Sequence, residues 1–508
     1  MTIKPWLSLC CLFLASCFGA LLPAAAQEAP ATTLIQDVTV VDGTGAPAFE
    51  ASVRLRGEAI DEVGDLHPQA EEAVVGGEGL VLAPGFIDTH SHHDADGDPD
   101  VPAAVTQGIT TIIVGQDGRS QFPLADFFES LDEEPFAVNV ASYVGHNTLR
   151  SEVMGDDFRR EATEEEVSQM GELLRQGLEA GALGLSTGLE YDPGIYASTD
   201  EVIGLAKEAQ QADGRYISHI RSEDRYLEEA IEEIIEIGQE AEIPVQISHM
   251  KLARRSLWGE ADRILERLDE ARDEGVVISA DVYPYTYWQS SMTVLFPERN
   301  FDDREAAGYA LTELTSSDDM IVADFSPDTT YVGKTIAEIA ELRDTDPVTT
   351  YMELIQESQA DEQGSESVIA RSMDEQDIKT ILRWPHSNVS SDGSARSGHP
   401  RGWGAFPRVL RAYMREGDVL SLEEAIHKMT GLSAQHVGLP NRGLIREGAP
   451  ADLVLFDPDT ITDRATIEAP DRPSEGIIGV WVNGTRVQED NTGTGARPGK
   501  VLRRSIDM

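Results

Sequence analysis

A cluster of side chains that can bind metal follows an apolar run near residue 90. The run Pro84-Gly85-Phe86-Ile87-Asp88 continues directly into Thr89-His90-Ser91-His92-His93-Asp94. Side chains two positions apart lie on the same face of an extended strand, so His90 and His92 can present two imidazoles to one ion. A His-x-His pair by itself is common in loops. It predicts a metal site only if further ligands come from elsewhere in the chain.

Candidates for those further ligands stand at the ends of other predicted strands. His219, His249 and Asp392 each lie where an apolar, β-prone run meets a polar loop. Segments with helical periodicity separate these runs, and strands that alternate with helices favour a parallel sheet, here an α/β fold with a closed (β/α)8 barrel. The carboxyl ends of all barrel strands converge on one mouth. Four histidines and an aspartate that are distant in sequence can therefore meet.

The barrel is predicted to span residues 82–435. Its strands are expected near residues 82–88, 110–114, 137–142, 182–186, 215–218, 244–248, 276–282 and 386–390. A capping box formed by Thr163 and Glu166 predicts a helix that ends near Gly181. About a hundred residues separate the last two strands, and such a long interval is typical of an inserted subdomain or a lid. We assign residues 290–375 to it.

Both ends of the chain are rich in strands. Residues 34–41 and 53–56 partly alternate apolar and polar side chains, and so do residues 451–456 and 477–482. Asn483-Gly484 is typical of a tight hairpin turn. We therefore expect a small β-sandwich domain assembled from residues 27–81 and 436–508.

The first 26 residues have the features of a secretory signal peptide, with a basic start, an apolar run and an Ala-x-Ala ending before Gln27. A lipoprotein cleavage that leaves Cys17 lipidated is the alternative. The chain is thus expected to be secreted or periplasmic, without a membrane span. Cys10, Cys11 and Cys17 are the three cysteines of the sequence and all lie in this leader. Any metal in the mature chain must then be bound by nitrogen and oxygen.

The charge balance is strongly acidic. The sequence has 91 acidic against 40 basic residues, a formal net charge of −51, and seven of the basic residues are lysines. Phosphates would be repelled, so nucleic acid is excluded as a partner. An acidic surface poor in lysine is also typical of proteins that work at high salt, where screening removes self-repulsion. We expect a saline environment.

Motifs along nearly the whole mature chain resemble those of the amidohydrolase superfamily, and more narrowly its N-acyl-D-amino-acid deacylase (D-aminoacylase) branch. They include Ala83-Pro84-Gly85-Phe86-Ile87-Asp88-Thr89-His90-Ser91-His92, Gly145-His146-Asn147-Thr148-Leu149-Arg150, Ser218-His219-Ile220-Arg221, Ser248-His249-Met250-Lys251, Asp281-Val282-Tyr283-Pro284-Tyr285, Ser391-Asp392-Gly393 and His399-Pro400-Arg401. The resemblance implies a metal-dependent hydrolase of non-peptide amide bonds with one or two Zn²⁺ ions, or another divalent metal. It implies a small substrate with a free carboxylate.

One departure from the family pattern concerns the metal. Where the family often has a cysteine ligand in Gly-Asn-Cys-Gly, this chain has Gly115-Gln116-Asp117-Gly118. Asp117 can replace the cysteine as an oxygen ligand. Alternatively, Glu190 after the fourth strand can bridge, and its longer side chain favours it slightly.

The resemblance also implies roles for the other residues. His219 and His249 hold the essential metal, while His90 and His92 belong to a second or weaker site. Asp392 acts as general base and then general acid. The residues expected near the substrate are Lys251 and Tyr283 as a carboxylate clamp, Arg401 as a further carboxylate ligand, and His146 and Tyr191 as pocket lining.

Two other functions are compatible with the same residues. A dipeptidase or a cyclic-amide hydrolase of the superfamily would share the ions and the base but recognise a different group beside the amide. A non-catalytic periplasmic binding barrel is the hypothesis from another class. The presence of Asp392 beside four histidines weighs against it, because a binding barrel needs no proton shuttle.

Overall fold

The computed structural model describes residues 32–360 and 364–504. The predicted leader, residues 1–26 with its three cysteines, lies outside these ranges. Across the two ranges, no helix combines the length and apolar character needed to cross a membrane.

A closed parallel barrel forms the centre of the described chain. Its eight strands, numbered here in chain order, are Phe86–Asp88, Ile109–Val114, Asn139–Ser142 continued by Val144–Gly145, Gly184–Gly188, Arg215–His219, Val245–Ile247, Ile278–Val282 and Ser387–Val389. Neighbouring strands pair in parallel. The backbone N–H of Asp392 donates to the His90 carbonyl at 2.9 Å and that of His92 to the Gly393 carbonyl at 2.9 Å, which closes strand 8 onto strand 1. The predicted (β/α)8 barrel is confirmed.

Helices cover the outside of the barrel. They are Pro102–Val105, Leu124–Glu133, His146–Met154, Glu164–Ala180, Thr199–Gln211, Leu227–Ala241, Ala261–Asp273, Glu375–Arg383, Arg401–Arg408, Leu422–Met429 and Gly431–Val437. The predicted capping box is present, because the Glu166 N–H donates to Thr163 Oγ1 and the Thr163 N–H donates to a Glu166 carboxylate oxygen at 2.8 Å. Met170 and Leu174 on the inner face of that helix are fully buried.

Strands from both chain ends form one nine-stranded sheet. They are Thr32–Val40, Phe49–Arg56, Ala59–Gly64, Ala73–Gly76, Val81–Pro84, Leu453–Phe456, Ile477–Val482, Thr485–Glu489 and Thr492–Gly493. Val81–Pro84 pairs with Thr32–Val40 on one side and with Leu453–Phe456 on the other, which joins the two ends. Asn483 and Gly484 both have positive φ, as the predicted tight hairpin turn requires.

The structure corrects the first predicted strand, the predicted start of the barrel at residue 82 and the assignment of the whole segment 436–508 to the terminal domain. Residues 82–88 do not form one strand, because residues up to Pro84 belong to the terminal sheet and the barrel begins at Phe86. Gly85 makes the transition, and a Cβ there would lie 2.2 Å from the Thr110 side chain. At the other end, the segment around Leu502 leaves the terminal sheet and packs on the barrel, where its N–H donates to the Val140 carbonyl at 2.8 Å.

A separate subdomain interrupts the chain between strands 7 and 8. Its antiparallel sheet consists of Tyr287–Ser290, Met320–Phe325 and, in the centre, Glu366–Arg371. The helices Arg304–Tyr309, Ile336–Arg343 and Pro347–Ala360 pack with this sheet around their own apolar core. The sheet begins at Tyr287, three residues before the predicted start of the insert. Arg299 attaches the subdomain to the barrel by donating to Asp192 at 2.8 Å and to the Glu190 carbonyl at 2.5 Å.

We expect the free energy of unfolding to rise between 0.1 and 1 M NaCl. The Debye length falls from about 10 Å to about 3 Å over this range, which screens the self-repulsion of a chain with a net charge of −51. Urea denaturation followed by circular dichroism at each salt concentration measures the effect. An equal rise with sucrose at matched osmolality, in place of NaCl, would contradict screening as its cause.

Candidate active site

The carboxyl ends of the barrel strands bring the predicted metal-binding residues together. His90 and His92 follow strand 1, while His219 ends strand 5. His249 follows strand 6 and Asp392 follows strand 8. A cavity of about 350 Å³ opens at this mouth. Its lining includes His92, Asp117, Glu190, Tyr191, His219, Glu223, Asp224, His249, Lys251, Asp392 and Arg401.

Asp117 occupies the centre of the cluster. Its Oδ1 lies 3.3 Å from His249 Nε2, 3.4 Å from His90 Nε2 and 4.0 Å from His219 Nδ1. Its Oδ2 lies 3.3 Å from His92 Nε2. Oδ1 therefore faces three imidazoles and Oδ2 faces the fourth, so all four histidines surround this one carboxylate.

The nitrogen atoms of His90 show that the cluster suits a cation. This side chain is fully buried, and neither ring nitrogen has a hydrogen-bond partner among the described residues. The nearest carboxylate oxygens to Nε2, from Asp117 and Asp392, are 3.4 and 3.6 Å away. An unpaired buried nitrogen is costly, and a divalent ion between the ring and these oxygens would remove that cost. Imidazole and carboxylate ligands fit Zn²⁺.

Glu190 lies behind the imidazoles rather than between them. Its Oε2 is 2.9 Å from His219 Nε2, while the other ring nitrogen of His219 faces His249 Nε2 at 3.1 Å. A carboxylate on the outer nitrogen fixes the orientation of a ligating histidine. The structure thus places Asp117, and not the slightly favoured Glu190, in the centre. Side-chain length does not decide which acid is central, because Asp117 has φ 54° and its turn points the short side chain inward.

Glu223 is a member of the site that the sequence analysis missed. It accepts a hydrogen bond from Lys251 Nζ at 2.6 Å and lies 2.9 Å from His249 Nδ1. It therefore stands behind His249 as Glu190 stands behind His219. Its signal in the sequence is weak, because it is one acidic residue of a polar loop that contains Asp224 as well.

The charges around the histidines favour additional positive charge in the site. Burial lowers the pKa of His219 to about 4, so its ring is neutral and can ligate a metal. Burial also opposes a proton on His249, yet the carboxylates of Glu223 and Asp392 raise its pKa to about 10. A site that attracts a proton this strongly attracts a divalent cation by the same electrostatics.

Asp392 faces the cavity as a carboxylate. Burial disfavours its charged form, but the Arg401 guanidinium and the His249 ring outweigh burial and hold the pKa of this carboxyl well below its usual range. Arg401 Nη1 donates directly to Asp392 Oδ2, and the other carboxylate oxygen lies 3.4 Å from His92 Nε2.

The predicted substrate-binding residues divide into two groups. Lys251, Arg401 and Tyr191 line the cavity. Tyr283 is buried under the Arg401 guanidinium, whose Cζ lies 4.8 Å from the centroid of the tyrosine ring. The Tyr283 hydroxyl has no hydrogen-bond partner within the described part of the chain. His146 does not line the cavity. Its Nε2 lies 2.8 Å from Glu201 Oε1 in a buried cluster with Arg150, so the expected pocket role of His146 is wrong.

The inserted subdomain supplies the outer wall of the cavity. Trp288, Val294 and Leu295 give it an apolar surface, and Ser290 and Ser367 add hydroxyl groups. Among the described residues, the lining has one lysine and one arginine, Lys251 and Arg401, against the five acidic residues Asp117, Glu190, Glu223, Asp224 and Asp392.

Comparison with known proteins agrees with this geometry. The model of the amidohydrolase family matches residues 73–488. The chain is 35% identical to D-aminoacylase of Alcaligenes xylosoxydans xylosoxydans over 94% of its length and 98% of the relative. It is 37% identical to N-acyl-D-aspartate deacylase of the same organism, over 94% and 96%. The structure of N-acyl-D-glutamate deacylase from Bordetella bronchiseptica, complexed with zinc and a phosphonate inhibitor, superposes with a TM-score of 0.82 at 35% identity, covering 93% of this chain and 99% of that one.

Fold, motifs and similarity over almost the entire length thus lead to one assignment, which confirms the resemblance seen in the sequence. The chain belongs to the amidohydrolase family, in the branch that contains the N-acyl-D-amino-acid deacylases.

Proposed function

We propose that the protein removes the acyl group from N-acyl-D-amino acids with neutral side chains, using one or two divalent ions, with zinc as the best candidate. The observation that carries the proposal is the composition of one cavity. It combines nitrogen and oxygen donors for a metal, a carboxylate able to move a proton, and two cations able to bind a substrate carboxylate. The similarity to three deacylases of N-acyl-D-amino acids supports the substrate class.

Following the resemblance, Asp117, His219 and His249 would hold the first ion. His90, His92 and Asp392 with a shared Asp117 would hold a second. A bound divalent ion supplies an acidified water as nucleophile and polarises the amide carbonyl. Glu190 and Glu223 keep the rings of His219 and His249 in place through their outer nitrogens.

Asp392 moves the proton in this proposal. Its carboxylate accepts a proton from the attacking water and then delivers it to the departing amine nitrogen, as general base followed by general acid. The hydrogen bond from Arg401 fixes one carboxylate oxygen and leaves the other directed toward His90 and His92.

Lys251 and Arg401 bind the carboxylate of the substrate. Each already bonds to an acidic residue, but an ammonium has three N–H donors and a guanidinium five, so donors remain for the ligand. An acidic substrate side chain would need a further cation in the lining, and the described residues provide none beside these two. The apolar wall formed by Trp288, Val294 and Leu295 instead suits a neutral side chain.

We also propose that the enzyme works outside the cytoplasm. The support is the leader-like segment 1–26, with a basic residue, an apolar run and Ala24-Ala25-Ala26 before Gln27. The enrichment in acidic residues supports a saline environment.

A substrate panel tests the proposed function. We expect zinc-loaded protein to hydrolyse N-acetyl-D-leucine with a kcat/KM at least about a hundredfold above that for N-acetyl-L-leucine or N-acetyl-D-leucinamide, since the amide leaves Lys251 and Arg401 without an anionic partner. N-acetyl-D-glutamate should be hydrolysed about tenfold less well. Released amino acid or amide is quantified by chromatography. Faster hydrolysis of a dipeptide or a hydantoin than of every N-acyl-D-amino acid would refute the proposal in favour of the other superfamily activities.

Replacement of the proton carrier separates chemistry from metal binding. We expect Asp392→Asn to lower kcat by about 10²–10⁴-fold, the usual contribution of a general acid–base residue. The ion held by Asp117, His219 and His249 should remain, as measured by elemental analysis of the variant. Asp377→Asn is the matched control, because Asp377 is also buried but bonds to the backbone N–H groups of Gly259 and Ala261 away from the cavity. An Asp392→Asn variant with normal kcat would exclude Asp392 as the proton carrier.

Metal content distinguishes Asp117 from Glu190. We expect Asp117→Ala to lose most of its zinc and its activity, whereas Glu190→Gln retains a hydrogen-bond partner for His219 Nε2 and loses about 10–100-fold in metal affinity at most. Titration of metal-free protein with zinc under competition from a chelator measures both affinities. If Glu190→Gln abolishes binding and Asp117→Ala does not, the central position of Asp117 has no bearing on the ion.

A further inference from the structure

A second cavity lies at the opposite end of the barrel. It has a volume of about 370 Å³ and is lined by residues from the starts of strands 5, 6 and 7 and from helices outside them. Arg215, which lines this cavity, begins the strand that His219 ends, so the two sites are roughly 13 Å apart at the strand rise of about 3.3 Å per residue. The cavity takes no part in the proposed hydrolysis.

The charge of this cavity is opposite to that of the molecule. Its lining contains the guanidiniums of Arg215 and Arg272, the uncharged rings of His386 and His436 and, among the described residues, no carboxylate. Within the same ranges, no carboxylate oxygen lies within 4.0 Å of the guanidinium nitrogens of Arg215 or Arg272. Two unpaired arginines are unexpected in a chain with 91 acidic and 40 basic residues.

Neighbouring groups strengthen the positive potential. Lys428 is buried beside the cavity and donates from Nζ to the carbonyls of Trp384 and Ser387 at 2.6 and 2.8 Å. Burial and then the charges of Arg215 and Lys428 lower the pKa of His436 to about 3. Asp269, the acidic residue whose charge acts on Arg272, accepts a hydrogen bond from Trp384 Nε1 at 2.8 Å and does not line the cavity.

The donors in the cavity are largely unused. Arg272 Nη1 donates to the Ile278 carbonyl, and the Arg215 side chain donates to none of the described residues. A guanidinium has five N–H donors in a planar fork that matches the oxygens of phosphate or sulfate. The volume of about 370 Å³ admits a small anion together with its hydrating waters.

We propose that this cavity is a binding site for a small tetrahedral oxyanion, held between Arg215 and Arg272. The anion would neutralise the two guanidiniums and tie the start of strand 5 to the helix Ala261–Asp273. Free phosphate, sulfate or the phosphate group of a small monoester has the required chemistry.

The test is a calorimetric titration of the full chain with inorganic phosphate, sulfate or glycerol phosphate, at ionic strength held constant with NaCl. We expect saturable binding with one anion per chain, weakened about tenfold or more in Arg215→Gln and in Arg272→Gln, as for the loss of a charge-assisted contact. Arg267→Gln is the matched control, because Arg267 lies in the same helix as Arg272 but is paired with Glu232 on the surface. It should bind like the wild type.

A second variant keeps the proposal testable if an arginine replacement prevents folding. Gln435 lies exposed at the rim of the cavity, so Gln435→Glu should fold and should weaken phosphate binding by charge repulsion. Binding of inorganic phosphate but not glycerol phosphate would identify the free ion as the ligand, and the reverse would identify a monoester. Absence of saturable binding to the wild type, or binding unchanged in all three cavity variants, would overturn the proposal.

Discussion

The structure of the active site depends on the accumulation of negative charge in a buried place. Five acidic side chains line a cavity with one lysine and one arginine, and the central carboxylate, Asp117, lies within 4.0 Å of imidazoles from three different strands. Buried charges of one sign are tolerated only when compensating charge is present. The electrostatics of the barrel mouth therefore favour a cation in the position between Asp117 and the histidines. The Glu223 carboxylate adds to this demand, and both Glu190 and Glu223 orient the histidines, His219 and His249 respectively.

An aspartate ligand at the position where the resemblance implies a cysteine would change the character of that position. A thiolate is soft and presents a single sulfur, whereas a carboxylate is harder and presents two oxygens that reach different imidazoles. It also cannot be oxidised as a thiol can. An oxygen ligand is thus consistent with a chain whose three cysteines all lie in the leader-like segment.

The sequence predicts those features of the fold and the site that follow from the periodicity of strands and helices, and it does not predict those that depend on tertiary contacts. His219, His249 and Asp392 were located because each ends an apolar run, and barrel topology brings all strand ends together. The switch at Gly85 was missed because residues 81–88 are apolar on both sides of it, and periodicity does not report a change of sheet. Glu223 was missed because it lies in a loop, whose conformation leaves no periodic signal in the sequence. His146 was misplaced because its buried contact with Glu201 is a tertiary contact that the sequence pattern does not show.

The interleaving of the chain ends has a consequence for biogenesis. Val81–Pro84 is made early, but one of its two neighbours, Leu453–Phe456, is made some 370 residues later. Until then its free edge offers unpaired backbone groups to any other strand that it meets. The terminal sheet can close only after Leu453–Phe456 has been made, so its completion waits for a segment that follows the whole barrel in sequence.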